Sequence, residues 1–238
     1  MRIKSALALV IPLACSALFV RLGVWQLDRH AEKAAFNSGL TERLATAPVA
    51  VRSVWSDTAL ARWRQVAAEG LFRFDLEQVH ASRANNGSPG VHLITPLEFE
   101  GTDTVVMVAR GWVYSPDAST VDLARWREPD SVSLRGYLLP LLDSGPPAPT
   151  ERSAPLRSLN RAALESRIRR PVAPVLLMMT SDSAARADSV PRRLEPPVLD
   201  NGPHRSYAIQ WFSFALIALI GGIVLFRRSA VVRPGADG

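Results

Sequence analysis

His204, Tyr207, Trp211 and Phe214 follow one another at intervals of three, four and three residues, so a helix beginning near residue 203 carries all four on one face. Trp25 and Arg29, four residues apart, share a face of a helix at the other end of the chain. An imidazole can ligate a haem iron axially, a guanidinium can pair with a propionate, and aromatic faces can stack on a macrocycle. The same residues fit an aromatic belt at a membrane surface, with His and Arg reaching to the headgroups. The pattern alone leaves both open. Of the other histidines, His30 stands close enough to Arg29 to approach His204 at a common interface. His80 and His92 lie in candidate strands, where a lone histidine is more often structural than a ligand.

These residues need two elements to position them, and both are apolar runs. Residues 5–20, continued by "LGVWQL", are long enough to cross a hydrocarbon core of about 30 Å at about 1.5 Å per residue. Arg2 and Lys4 before it fit a secretory signal, but a small-x-small cleavage site followed by polar sequence is missing. A lipoprotein signal would use Cys15, yet apolar residues continue past it, so an uncleaved anchor is expected. Residues 208–226 hold no charge and are closed by Arg227, Arg228 and Arg233. Basic residues outside both runs place both termini in the cytoplasm and the intervening chain on the outer side. Trp25, Tyr207 and Trp211 then mark one and the same interface.

Between the runs, "RHAEKAAFNSGLTERLA" is polar and compatible with a helix. Strand candidates follow at 63–72, 77–82, 90–99, 104–113, 131–139 and 173–180, rich in β-branched and aromatic residues. "RANNGSPG" predicts a turn-rich loop and "EGTD" a tight hairpin connection. The proline-rich segment 143–155 predicts a surface linker, and 159–168 a short helix. The fold class expected is α+β: two transmembrane helices, a hairpin of the N- and C-terminal segments, flanking an extracytoplasmic, mainly antiparallel β domain with one or two short helices. The predicted division is a cytoplasmic N-terminus (1–4), transmembrane helix 1 (5–27), the extracytoplasmic domain (28–205), transmembrane helix 2 (206–226) and a cytoplasmic basic tail (227–238).

Several chemistries are excluded. The net charge is +6, but the basic residues, all arginine except Lys4 and Lys33, are scattered along the chain. They form no basic stripe interleaved with aromatics, which argues against nucleic acid. One cysteine permits neither an internal disulfide nor a Cys-x-x-Cys centre. Nucleophile-elbow, zincin, P-loop and dinucleotide fingerprints are absent. The stretch Arg110, Gly111 and Trp112 ends a predicted strand; it could be a partner-docking edge, or Trp112 could cap the sheet core with Gly111 permitting a bulge.

Taken together, the segments "LGVWQLDRHAEK", "RQVAAEGLF", "GSPGVHLITPLEF", "VARGWVY" and "HRSYAIQWFSF" resemble, in order and spacing, the surfeit-locus cytochrome c oxidase assembly factor family, in a bacterial-type member. Trp25, Gln26 and Arg29 match its W-Q-x-x-R; Gly90, Thr95 and Pro96 its G-x-x-x-x-T-P; Arg110, Gly111 and Trp112 its R-G-W; His204, Tyr207, Ala208, Gln210 and Trp211 its H-x-x-Y-A-x-Q-W. The resemblance implies a non-catalytic, membrane-embedded role in the inner membrane, aiding insertion of haem a into subunit I of an aa3-type oxidase, with haem a synthase a further partner. It implies His204 as the haem ligand, and a metal bond only through haem iron. Tyr207, Trp211, Trp25 and Arg29 would then shape the pocket. The alternative from another class is a cofactor-free scaffold that docks oxidase assembly intermediates.

Overall fold

The computed structural model describes residues 3–151, 153–180 and 190–231, with side chains between residues 10 and 228. The chain forms two compact units. One comprises Met1–Gly39 with Leu199–Gly238, the other Leu40–Val198.

The second unit is a small barrel. Its strands are β1 (Val49–Ala50), β2 (Gln65–Phe72), β3 (Gln78–His80), β4 (Gly90–Glu98), β5 (Val105–Tyr114), β6 (Ser131–Pro140) and β7 (Val172–Met179). The sheet runs β1-β2-β6-β7-β5-β4-β3, and β2 also pairs with β4 through Leu71↔Glu98 and Phe72↔Leu97. That last pairing closes five strands into a ring, which removes their free edges. All pairings are antiparallel except β1 with β2 and β5 with β7.

Alternation along each strand sorts the apolar residues into two layers. Val66, Ala68, Phe72, Val106, Val108, Leu134, Leu138, Ala173, Val175 and Leu177 fill the interior. Val105, Met107, Ala109, Val172, Leu176 and Met178 point outward and are covered by Leu164 and Ile168 of a short helix, α3 (Arg161–Ile168), with α1 and α2 defined below. Strands β5 and β7 are thus buried on both faces, the physical reason they spell near-continuous apolar runs. The β3–β4 connection turns at Asn86 and Gly87, both at positive φ, between reciprocal Asn85–Ser88 backbone bonds of 3.0 Å. That is the two-residue hairpin geometry Asn-Gly favours.

The proline-rich linker is strapped to α3. Arg167, 9% exposed, donates to the carbonyls of Pro149, Glu151 and Ala154 at 2.9, 2.8 and 2.7 Å. Its Nε donates to Gln78 Oε1 at 3.0 Å. Sequence offered no sign of β1, of the single helical turn α2 (Thr58–Ala61, N-capped by Asp57), or of the ring closure.

The first unit holds two long helices, α1 (Ile3–Ala45) and α4 (His204–Val231); the last turn of α1 belongs to the barrel unit. The apolar run and the polar segment 29–45 form one uninterrupted helix. Both helices are long and apolar enough to cross a membrane. Their outward faces carry exposed Val10, Ile11, Leu13, Leu18, Ile209, Leu216, Ile217 and Ile220, a surface suited to lipid.

Candidate functional site

The two helices meet antiparallel along a seam of small residues. A Cβ built on Gly222 would stand 2.6 Å from Pro12 Cβ. Ser16 Oγ donates to the Ala215 carbonyl at 3.0 Å. Ala208, Ala215 and Gly222 recur every seven residues, and all three are buried. Where no hydrophobic effect drives helices together, close approach over small residues supplies the packing. Above this seam Phe19 stacks on Trp211 with ring centres 5.7 Å apart, and Phe214 closes the cluster at 6.0 and 5.9 Å. Beyond the aromatic layer Gln26 faces His204, and Asn37 donates to Asn201 Oδ1 at 2.7 Å and to the Asp200 carbonyl at 3.2 Å.

His204 is the first residue of α4 and is partly buried. Its Nδ1 lies 2.9 Å from Gln26 Oε1. An amide oxygen only accepts, so Nδ1 carries the proton, and in the neutral ring Nε2 keeps its lone pair. Metal-ligating histidines are characteristically oriented this way, one nitrogen tied to an oxygen acceptor and the other free for the metal. The space beside Nε2 is kept by Gly202, whose φ is +71°; a Cβ there would stand 3.4 Å from Nε2 and 3.3 Å from Cδ2. This donor and this cradle fit axial ligation of a haem iron. Neither Gln26, named in the W-Q-x-x-R match, nor Gly202, two residues before the histidine, was among the pocket residues expected from sequence.

The other expected pocket residues are placed differently. Trp211 points into the helix seam and is committed to Phe19 and Phe214. Tyr207 and Trp25 are 45% and 51% exposed. Arg29 pairs with Glu32 at 2.7 Å on the helix exterior. Among the described residues no hydrogen bond, ion pair or ring contact joins Trp25, Arg29 or Tyr207 to His204. The buried positions 208 and 215 and the partly buried 204 and 211 define the seam, so exposed Tyr207 lies at its edge. His30, one turn beyond Gln26, has a shielded Nδ1 with no partner among the described residues.

Arg110, Gly111 and Trp112 lie inside the barrel unit. Leu93 pairs with Gly111 but Ile94 with Ala109, which leaves Arg110 as the extra residue of a β-bulge. Its side chain is fully buried and plugs the barrel end. Nε donates to Thr95 Oγ1 at 2.8 Å and Glu77 Oε1 at 3.1 Å, and Nη2 donates to the same Glu77 oxygen. Nη1 donates to the Trp126 carbonyl at 2.8 Å and Glu128 Oε2 at 2.6 Å. Arg193 closes the set by donating to Glu128 and to the Arg110 carbonyl. Phe74 lies 4.9 Å from the guanidinium. Two arginines thus balance two glutamates. Burial pushes the Glu128 carboxyl up, but Arg193 and Arg110 outweigh it and hold the group below its ordinary value. Gly111 allows the 192 segment to approach, since a Cβ would stand 2.6 Å from the Arg192 carbonyl oxygen. Trp112 is half-buried and donates through Nε1 to the Arg83 carbonyl at 2.8 Å. The geometry of the trio is that of an internal brace, with Arg110 presenting no surface to a partner.

Comparison with known proteins gives a consistent result. The family model described as SURF1 family matches residues 13–216. An uncharacterized SURF1-like protein of Mycobacterium tuberculosis is 27% identical over 223 residues, covering 91% of this chain and 80% of the relative. A SURF1-like protein of Monosiga brevicollis is 26% identical over 226 residues, covering 87% and 83%. A SURF1-like protein of Drosophila melanogaster is 30% identical over 108 residues, covering 39% and 36%.

Proposed function

Because the chain belongs to the SURF1 family of cytochrome oxidase assembly factors, we propose that it holds haem a transiently through His204 and aids its insertion into subunit I of an aa3-type cytochrome c oxidase. Haem a is cargo, and no bond of it is broken. The observation that carries the reading is the His204–Gln26 hydrogen bond, which orients the ring and leaves Nε2 as the coordinating atom. Gln26 fixes the tautomer, Gly202 keeps the approach open, and the Phe19–Trp211–Phe214 cluster holds the start of α4 against α1.

The protein is anchored in the inner membrane by α1 and α4, with both termini cytoplasmic and the barrel extracytoplasmic. The basic residues Arg2, Lys4, Arg227 and Arg228 outside the apolar runs support this orientation. Haem a would arrive laterally from its synthase, since a hydrophobic macrocycle travels in the bilayer. Arg110 serves by bracing the barrel and touches neither cargo nor partner.

The test is the reduced-minus-oxidised membrane spectrum of a deletion strain complemented with variants. The reading predicts a weakened aa3 band with haem a still made, restored by the natural chain and by Arg29→Ala but not by His204→Ala. Restoration by His204→Ala equal to that by the natural chain would favour a cofactor-free scaffold instead.

A further inference from the structure

His204 is the first residue of α4, and the first turn of a helix is held least by its own hydrogen bonds, because its leading N–H groups have no intrahelical partner. What fixes the ring must therefore come from outside the helix. Residues 193–202, which lead into it, belong to no helix or strand, so their backbone groups also depend on partners elsewhere. Within the helix-pair unit α1 supplies both. Gln26 meets the ring itself, and Asn37, eleven residues further along α1, meets the chain just ahead of it. Eleven residues are about three helical turns, so both side chains stand on one face of α1, about 16 Å apart along its axis.

Asn37 is 8% exposed, although its neighbours Phe36, Ser38 and Gly39 are all exposed. Asparagine is a weak helix former because its amide competes for backbone groups, and here the amide is engaged by the other segment. Nδ2 donates to the Asp200 carbonyl at 3.2 Å and to Asn201 Oδ1 at 2.7 Å. A backbone carbonyl only accepts, so the atom facing it is the amide nitrogen, and the Asn201 atom beside it is then an oxygen. The hold passes on in short steps. Asp200 Oδ1 accepts from Gly202 N at 2.9 Å, and the chain turns at Gly202 with φ +71°. Gly202 in turn lies against the Cδ2–Nε2 edge of the His204 ring. The Pro203 carbonyl accepts from Tyr207 N at 3.1 Å as α4 begins.

We infer that Asn37 is a positioning residue for His204, the second of two points at which α1 holds the histidine. This rests on the reading of His204 as the haem ligand and adds which residue sets Nε2 in place. One hydrogen bond at Nδ1 leaves the ring able to swing about that contact. Fixing the backbone that precedes the histidine removes the swing. Glycine has the widest backbone freedom of any residue, so once the two bonds from Asn37 are lost Gly202 no longer keeps its place beside Nε2.

The experiment uses the full-length protein in detergent and has two arms. Without haem, labelling of His204 by diethyl pyrocarbonate and deuterium exchange of residues 200–202 are followed by peptide mass spectrometry. Asn37→Ala should speed both by at least about threefold. Asn201→Asp keeps the acceptor and should match the natural chain, as should Ser38→Ala, whose hydroxyl bonds the Ala35 carbonyl of its own helix. Asn201→Ala, at an exposed residue, should move both rates in the direction of Asn37→Ala, and keeps the test decisive if that variant fails to fold. With haem a added, Asn37→Ala should bind about tenfold more weakly and shift the visible band, a change of ligand geometry that lost stability alone does not give. Unchanged labelling and exchange in both alanine variants, or faster labelling with the haem a affinity and spectrum of the natural chain, would overturn the assignment. A natural chain that takes up no haem a sinks the ligand reading alone, and the labelling arm still decides on Asn37.

Discussion

Replacing Arg110 by alanine removes the one cation that pairs with Glu77 among the described residues. Arg110 is fully buried and the Glu77 side chain is 2% exposed, so neither group can turn to water. Without the guanidinium, Glu77 keeps, among the described residues, the hydroxyl of Thr95, which donates to it at 2.6 Å, while Glu128 retains Arg193. Breaking a buried pair by removing one partner costs about 3–5 kcal/mol, most of it the uncompensated charge left behind. Set against a total stability of about 5–15 kcal/mol, that is a large fraction. If the charge is the cause, neutralising it should recover part of the loss. Glu77→Gln in the Arg110→Ala background should therefore be more stable than Arg110→Ala alone, a coupling read from the four-variant cycle. Arg110→Lys should fall between, since an ammonium cannot span Thr95, Trp126 and both carboxylates. The assay is urea unfolding of the barrel in the full chain in detergent, followed by near-ultraviolet circular dichroism. A loss below about 1 kcal/mol for Arg110→Ala, or a double variant as unstable as the sum of the singles, would refute the reasoning.

Three further outcomes are expected. His80 and His92 titrate near 4 in the folded barrel and near 6.5 when unfolded; the unfolded chain binds more protons between those values, so stability rises with pH across that window. At pH 5 the cost is about 2 kcal/mol per ring, seen as a lower unfolding midpoint than at pH 7, and His92→Gln should flatten the slope. Gly222→Leu should separate the helices and destabilise their unit by about 1–3 kcal/mol, whereas Gly221→Leu, where a Cβ meets nothing within 4 Å, should not; thermal unfolding of the two variants in one detergent compares them. Gln26→Ala should weaken haem a binding by about 10–100-fold in a spectral titration, with Gln26→Glu retaining most of it.

Much of the barrel was legible in the sequence because its strands are punctuated by residues with one conformational use. "NNG" and "EGTD" mark turns, and β-branched runs lie between them. The ring closure was not legible, since two backbone pairings between β2 and β4 leave no periodic trace. The same holds for the parallel contact of β5 with β7, which depends on a crossover through β6 and α3. Gly111 had suggested a bulge, and the extra residue is Arg110 beside it. At the candidate site, spacing along one helix put Tyr207 on the face of His204, whereas the side-chain contact of His204 runs across to α1. Trp25 and Gln26 differ by one residue, or about 100° of rotation, and only contact across the pair tells which of them faces α4. Gln26 does, from a position 178 residues away in sequence.

The central claim is that His204 ligates haem a, and the visible spectrum of the purified full-length protein from cells making haem a tests it most directly. The account predicts a reduced haem a band in the natural chain that is lost in His204→Ala and weakened in Gln26→Ala. A haem-free natural chain at ample haem a supply, or an undiminished band in His204→Ala, would contradict it.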